Sequence, residues 1–339
     1  MKSLLYIGNK LSKQGNNPST IETLSRQLQQ EGFKVTTVSD YQNKVFRLMH
    51  MWIAIVLHSR KVDVVLIDVY STLNFWYAYS CSLLCRVFDI PYIPILHGGN
   101  LPARFQNNPK TAMALVNYAY KTVIPSAYLK KHLASFNLPR VEVIPNTIEL
   151  ANYPFKQRSA LQPHLLWVRA IDSIYNPEMA LQTLALVREE FPEAQLTMVG
   201  PYKSISETAW QQTLQKYQLP VRMTGKLTKE EWIGLAASHT VFINTTRIDN
   251  MPVSVIEAMA LGLPVVSTDV GGIPHLIQHE VSGLLVPTND APAMAQAVLR
   301  LLRSEGLTEK LTLNARKEVD KYDWRAIAVQ WKALLEGGI

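Results

Sequence analysis

Short β-rich runs alternate with helix-length segments along this chain, and this alternation constrains its fold more than any other feature. Six runs precede residue 150 and six follow residue 162. They are 4–8, 34–39, 62–68, 91–96, 121–125 and 141–145, then 165–168, 194–200, 221–225, 240–244, 264–268 and 283–287. Apolar strands separated by helices form parallel sheets that are covered on both faces. The sequence therefore predicts an α/β protein with two doubly wound, Rossmann-like domains.

The length of 339 residues suits two such domains, with the join between the two sets of strands. We assign residues 1–150 to an N-terminal domain and residues 151–322 to a C-terminal domain. Residues 323–339 are expected to form a terminal helix that packs back on the N-terminal domain. Ligands of doubly wound sheets bind outside the carboxyl ends of the strands. Functional residues are therefore expected directly after strands, in a central cleft faced by both domains.

The apolar runs and the two cysteines indicate in which cellular compartment the protein works. The N-terminus has five apolar residues and then polar ones, which indicates a first strand and not a signal peptide. The apolar run 51–57 is far shorter than the ~18 residues of a spanning helix. Cys81 and Cys85 lie four apart on one predicted helix face, where a disulfide is geometrically poor, so free buried thiols are expected. These features predict a cytoplasmic protein.

The net charge of +7 is unevenly distributed. Residues 1–150 carry 16 Lys and Arg against 8 Asp and Glu, whereas residues 151–339 carry 18 against 19. Segment 44–61 mixes apolar and basic residues. It has two interpretations, a core helix with a solvated basic edge or a peripheral surface for anionic lipid at the inner membrane face. No recognition motif supports a nucleic-acid partner.

The loop and helix after the run 240–244 carry two carboxylates. Pro252 suits the first turn of a helix that Gly262 ends. The amino end of such a helix attracts phosphate. Asp249 has two interpretations, as a helix cap or as a ligand contact. Glu257 lies among apolar residues and needs a partner, for which sugar hydroxyls are suitable.

The run DNMPVSVIEAMALGLPVVSTDVGGIP, which begins at Asp249, resembles the donor-site signature of glycosyltransferase family 4. Members of this family are retaining enzymes of GT-B fold. Other segments are also similar to family segments, and together they cover most of the chain. They are HGGN at 97–100, VIPNTIEL at 143–150, MTGKL at 223–227, SGLLVP at 282–287 and the closing YDWRAIAVQW.

The resemblance implies roles for individual residues. Asp249 would bind the transferred sugar, Glu257 the ribose and Arg169 the donor diphosphate. His97 would contact the sugar or support the transition state, although a lone His after a strand is also a common structural hydrogen-bonding group. His97, Asp249 and Arg169 form the predicted catalytic set. The predicted donor-binding set is Gly15, Gly98, Arg169, Gly225, Lys226, Asp249, Asn250, Met251, Val253 and Glu257.

The chain departs from the family pattern in its charged residues. Asp249 stands where Glu is usual, and Ile174 and Tyr175 stand where the family has a Lys. Arg247 or Lys226 is our hypothesis for the replacement cation. The sequence has no Asp-x-Asp motif and no cluster with metal-ligand spacing, so we expect no metal and no cofactor.

The function implied by the resemblance is retaining, metal-independent hexosyl transfer. The donor would be a UDP- or GDP-linked sugar and the acceptor a glycan or lipid-linked sugar, in surface polysaccharide biosynthesis. Two alternatives stay open. One is a sugar-nucleotide epimerase or hydrolase of the same fold, and the other is a catalytically weak nucleotide-sugar-binding protein.

Overall fold

The computed structural model describes residues 1–10, 19–158 and 162–337. The chain divides into two compact units. The first unit comprises Met1–Asn146 and Trp324–Ile339, and the second comprises Thr147–Asp323. The division after Asn146 lies four residues before the boundary drawn from the sequence.

The first unit is built on a six-stranded parallel sheet in which β1 pairs with both β2 and β3, and the order is β2-β1-β3-β4-β5-β6. Its strands are β1 Ser3–Ile7, β2 Lys34–Val38, β3 Val64–Val69, β4 Tyr92–Leu96, β5 Thr122–Ile124 and β6 Val141–Val143. Every residue of β3 and β4 is buried, as expected for central strands covered by helices on both faces.

Among the described residues of this unit, seven α-helices flank the sheet. They are α1 Thr20–Gln30, α2 Lys44–His58, α3 Asn74–Val87, α4 Leu101–Asn107, α5 Pro109–Asn117, α6 Ala127–His132 and the C-terminal α13 Trp324–Glu336. The last of them belongs to this unit because Trp324 Nε1 donates to Glu31 Oε1 at 3.2 Å and Lys332 pairs with the same carboxylate. The chain end therefore packs on α1.

The second unit has another six-stranded parallel sheet, in the order β12-β11-β10-β7-β8-β9. Its strands are β7 His164–Val168, β8 Gln195–Val199, β9 Val221–Gly225, β10 Val241–Asn244, β11 Val265–Thr268 and β12 Leu284–Val286. Its helices are α7 Pro177–Arg188, α8 Glu207–Tyr217, α9 Lys229–Ala236, α10 Val253–Ala260, α11 Ala291–Arg303 and α12 Glu305–Val319. The central strands β7 and β10 put their carboxyl ends side by side, which places the segments after them close together.

Helix boundaries follow the capping signals in the sequence. Thr228 Oγ1 accepts from the Glu231 amide at 3.2 Å, and the Glu231 carboxylate accepts from the Thr228 amide at 2.7 Å. The placement of Pro252 inside the first turn of α10 is wrong by one position: Pro252 is the N-cap, with extended backbone, and the helix begins at Val253. The prediction of free, buried thiols at Cys81 and Cys85 is confirmed.

Two absences hold for the three described ranges. Their His, Cys, Asp and Glu side chains form no group of three that could hold a metal ion. Their helices are all too short or too polar to cross a bilayer.

Candidate functional site

Arg169 and Asp249 meet at the carboxyl ends of β7 and β10. Arg169 directly follows β7, and its Nη2 lies 2.7 Å from Asp249 Oδ2 in the loop after β10. Arg169 Nε also lies 3.4 Å from Oδ1 of Asn244, the last residue of β10. Both members of the ion pair are largely shielded, with side-chain exposures of 13% and 17%. The sheet therefore holds a cation and a carboxylate together where ligands of this fold bind.

Asp249 is not the cap of α10, so that interpretation is wrong. Its Oδ1 accepts from the amide of the next residue, Asn250, at 2.8 Å, while Oδ2 faces Arg169. The helix begins four residues later, at Val253. The carboxylate is thus held by the Asn250 amide of its own loop and by Arg169 after β7. It makes no contribution to capping α10.

A buried polar network fixes the strand ends behind this pair. Trp167 Nε1 donates to Thr245 Oγ1 at 2.9 Å, and Asn244 Nδ2 donates to Ser267 Oγ at 2.9 Å. Buried polar groups that are all hydrogen-bonded restrict the geometry of the segments they join. Asn244 therefore links β10 to β11 and to Arg169 through its two amide atoms.

Two glycines allow the Asp249 loop to lie against the segment after β11. The Gly272 amide donates to the Asp249 carbonyl at 2.9 Å. A Cβ on Gly272 would lie 1.7 Å from the Asn250 carbonyl oxygen, and one on Gly271 would lie 2.0 Å from that of Asp249. Backbone atoms cannot yield as a flexible side chain can, so this close contact requires glycine at both positions.

Glu257 is buried on α10 with 3% exposure, and protein groups hold its carboxylate. Tyr153 Oη donates to Glu257 Oε1 at 2.7 Å, and Lys229 Nζ, at the start of α9, pairs with the same oxygen. Burial and then the nearby Glu257 raise the pKa of Tyr153 above its ordinary value, so the hydroxyl stays a donor. The sequence did not single out Tyr153 or Lys229. One signal was available for Lys229, which is a cation directly after the helix N-cap Thr228.

The amino end of α10 carries a further polar atom. Ser254 Oγ is buried and has no hydrogen-bond partner among the residues that the structure describes. It lies in the first helical turn, where backbone amides also lack partners within the helix. A buried hydroxyl and the helix dipole together favour an anion at this end of α10.

Tyr175, one of the two residues at the position where the resembled family has a Lys, contacts Arg169. The guanidinium carbon of Arg169 lies 5.0 Å from the centroid of the Tyr175 ring, within cation–π range. Arg247 has a structural role, since its Nη2 donates to Asn176 Oδ1 at 3.0 Å and its Nε to Asn289 Oδ1 at 3.1 Å. Its role as a replacement cation stays a prediction, as does that of Lys226.

The remaining predicted donor residues of the second unit lie at strand and helix ends. Gly225 ends β9 with φ +68°, and its carbonyl accepts from the Gly200 amide at 2.8 Å. Asn250 and Met251 are buried, with 3% and 8% exposure. Val253 is the first residue of α10.

His97 lies in the first unit and has a partner that the sequence did not single out. His97 Nε2 is 2.8 Å from Asp68 Oδ1, and the two side chains are 6% and 1% exposed. The only signal in the sequence was a charged residue within the apolar strand β3. Gly98 is needed for packing, because a Cβ there would lie 2.9 Å from the Ser71 amide nitrogen. Gly15 lies outside the described residues.

Comparison with known proteins gives a family match for the second unit. The family model described as Glycosyl transferases group 1 matches residues 162–304, a segment that contains Arg169, Asp249 and Glu257. The sulfoquinovosyl transferase SQD2 of Arabidopsis thaliana is 33% identical over 154 residues, which are 44% of this chain and 29% of that protein. The amylovoran biosynthesis glycosyltransferase AmsK of Erwinia amylovora is 48% identical over 73 residues, which are 22% of this chain and 18% of that protein. The matches thus span less than a third of either relative.

A solved structure shows the same fold over the whole chain. HepE from Anabaena, solved with UDP and glucose, superposes with a TM-score of 0.80 and 16% identity, covering 99% of this chain and 100% of that one. The predicted fold class is confirmed: the chain is an α/β protein of GT-B architecture with two parallel six-stranded sheets.

Proposed function

We propose that this protein transfers a hexosyl unit from a nucleotide-diphosphate sugar to a glycan or lipid-linked acceptor, with retention of configuration and without a metal ion. The observation that carries the proposal is the Arg169–Asp249 ion pair after β7 and β10, which is followed in the chain by α10 with its buried Glu257, all inside the segment that matches the glycosyltransferase family model. Names of relatives favour transfer over the epimerase and binding-protein alternatives. The name of AmsK supports a role in surface polysaccharide biosynthesis.

The chemistry of this grouping suits diphosphate departure. Negative charge grows on the leaving diphosphate in the transition state, and fixed cations and helix amides stabilise it most where it is largest. Arg169 and the amino end of α10 would supply these groups. Glu257 would accept hydrogen bonds from the ribose, and Asp249 from the transferred sugar. His97 is retained as the predicted sugar contact.

Thermal unfolding with EDTA present tests donor binding. We expect one of UDP, GDP or ADP, or a matching nucleotide sugar, to raise the midpoint by about 5–10 °C at a hundred times its dissociation constant, since this adds about 2.7 kcal/mol. Glu257→Gln should reduce the shift severalfold by removing the ribose-binding charge. Glu280→Gln is the matched control, because it removes an exposed carboxylate of the same unit that pairs with Arg300.

Three outcomes would contradict the proposal. The first is no shift with any nucleotide, and the second is an undiminished shift in Glu257→Gln. The third is a shift that appears only when Mg²⁺ replaces EDTA, which would exclude metal-independent donor binding.

We also propose that the first unit contacts an anionic membrane through the outer faces of α2 and α3. Helix α2 buries only Arg47, Met51, Ala54 and Ile55, and its opposite face is apolar instead of basic. Seven apolar side chains of α2 are exposed: Val45, Phe46, Met49, Trp52, Ile53, Val56 and Leu57. Trp52 Nε1 donates to Ser80 Oγ of α3 at 3.0 Å, and Trp76, Leu83 and Val87 extend the exposed surface along α3.

An exposed apolar surface of this extent needs a partner, because soluble monomers rarely leave one uncovered. We choose an anionic bilayer as the partner because Lys44, Arg60, Lys61 and Arg86 lie on or beside the same helices. Residues 1–150 also carry 16 basic against 8 acidic side chains. Apolar residues would enter the interface while the basic ones bind lipid headgroups.

Flotation with vesicles tests this contact. The protein should float with phosphatidylcholine vesicles that contain 30% phosphatidylglycerol, and less with pure phosphatidylcholine. Ile53→Ser with Leu57→Ser should weaken binding by at least about tenfold, since each buried side chain contributes roughly 1.5–3 kcal/mol. Val329→Ser, at an exposed apolar position on α13, should leave it unchanged. Concentration-dependent dimerisation without vesicle binding would instead assign the surface to a second copy of the chain.

A further inference from the structure

The carboxylate of Asp68 is buried at the end of β3 and receives two side-chain hydrogen bonds on one oxygen. Tyr6 Oη on β1 lies 2.8 Å from Asp68 Oδ1, and His97 Nε2 after β4 lies 2.8 Å from the same atom. Because β1, β3 and β4 are neighbours in the sheet, three adjacent strands supply one residue each. The Tyr70 ring stacks on His97, with centroids 5.3 Å apart and planes at 27°.

These contacts decide which imidazole nitrogen carries the hydrogen. Burial, and then Asp68, raise the pKa of Tyr6 well above its ordinary value, so its hydroxyl remains a donor. An ionised carboxylate only accepts hydrogen bonds, so the hydrogen between His97 and Asp68 belongs to Nε2. In the neutral ring Nδ1 is then the acceptor.

The surroundings of the other Asp68 oxygen indicate that this carboxylate does more than fill space in the core. Asp68 Oδ2 is buried without a hydrogen-bond partner within the described part of the chain. A Cβ on Gly8 would lie 2.6 Å from it, so glycine is needed for the carboxylate to fit. An unpaired buried carboxylate oxygen is costly, and an apolar residue at position 68 would remove that cost. Among the described residues, Asp68 thus depends on Gly8 for space and on Tyr6 and His97 for hydrogen bonds, and one of its oxygens is left unpaired.

We propose that Asp68 is a positioning residue for His97: it orients the imidazole and keeps the hydrogen on Nε2. Tyr6 fixes the carboxylate in turn. The fixed ring would hold His97 in place for the sugar contact predicted for it, and the opposite tautomer would leave Nε2 with no hydrogen to donate to Asp68. This positioning role rests on the proposed glycosyl transfer. The assignment of the hydrogen to Nε2 rests only on the contact with Asp68 and does not depend on that function.

Nitrogen-15 NMR of the imidazole side chains tests the tautomer without any substrate. His97 is assigned as the signal pair that His97→Gln removes from the spectrum of the eight histidines. The wild-type ring should show a protonated Nε2 and an unprotonated Nδ1. Asp68→Asn and Asp68→Ala should convert it to a mixture of tautomers. Asp63→Asn is the control, because Asp63 directly precedes β3 at the end far from His97, and it should leave the tautomer of His97 unchanged. A wild-type His97 protonated on Nδ1 alone would overturn the proposal, even if every Asp68 variant failed to fold.

Kinetics of the folded variants test the consequence for transfer. With the nucleotide sugar that stabilises the protein, Asp68→Asn should lower kcat by about 10- to 100-fold and change the donor KM by less than about twofold, as for other groups that orient a reacting side chain. Tyr6→Phe should have a smaller effect of the same kind. An unchanged kcat in Asp68→Asn with an altered tautomer would reject the positioning role. Failure of the proposed function would appear differently, as absent turnover in the wild-type protein with the tautomer intact.

Discussion

Arg169→Ala is expected to lower the rate of sugar transfer by a factor of about 10²–10³, the usual cost of removing one group that stabilises transition-state charge. The reason lies in the composition of the site. The chain has no Lys where the resembled family has one, and Arg169 is the cation held against Asp249 at 2.7 Å. The measurement is nucleoside diphosphate release from the stabilising nucleotide sugar, with lipid extract as the acceptor source.

The controls separate two roles of Arg169. Arg169→Lys keeps the charge but loses the planar fork that can face Asp249 and a phosphate at once, so we expect an intermediate loss of about tenfold. Asp249→Asn removes the ion-pair partner. If Arg169 acts on the diphosphate, Arg169→Ala should still cost at least tenfold in the Asp249→Asn background. If Arg169 only orients Asp249, the double variant should be no slower than Asp249→Asn alone. That second result would contradict our assignment.

The sequence predicted the fold well because the fold depends on patterns that are local in the chain. All twelve strands appear within one or two residues of the predicted positions, since buried parallel strands are apolar throughout and the capping residues Ser19 and Thr228 mark helix starts. The α2 helix was also predicted, but which of its faces is exposed depends on packing against β2 and α3. The exposed face proved apolar.

The partners of the candidate site residues were beyond prediction for a physical reason. Tyr153 meets Glu257 across 104 positions, and Asp68 meets His97 across 29. Such contacts arise when strand order brings chain segments together, and no spacing rule within the sequence encodes that order. The sequence predicts that the buried Glu257 needs a partner and that sugar hydroxyls are suitable, and the structure adds Tyr153 and Lys229 as protein partners. A ribose would therefore share or displace the Lys229 ion pair.

Gly272→Ala is expected to destabilise the second unit by about 3 kcal/mol or more and to abolish the nucleotide-induced rise in melting temperature. The added Cβ would lie 1.7 Å from the Asn250 carbonyl oxygen, which belongs to the backbone and cannot move aside alone. Gly272 has φ −86°, a value that alanine adopts freely, so the effect would be purely steric. Displacing Asn250 would also displace Asp249, because the Gly272 amide donates to the Asp249 carbonyl.

Gly234→Ala is the matched control for this prediction. Gly234 lies within α9, and apart from its chain neighbours and the adjacent helix backbone no described atom lies within 4 Å of an added Cβ, so alanine there should stabilise the unit by about 0.5–1 kcal/mol through helix propensity. Urea unfolding gives the stabilities, and nucleotide-dependent melting gives the binding. If Gly272→Ala lost stability but kept the full nucleotide shift, the Asp249 loop would not belong to the donor site. If Gly272→Ala lost both stability and the nucleotide shift while Gly234→Ala kept both, the close contact between the two loops would be what holds Asp249 in place for its ligand.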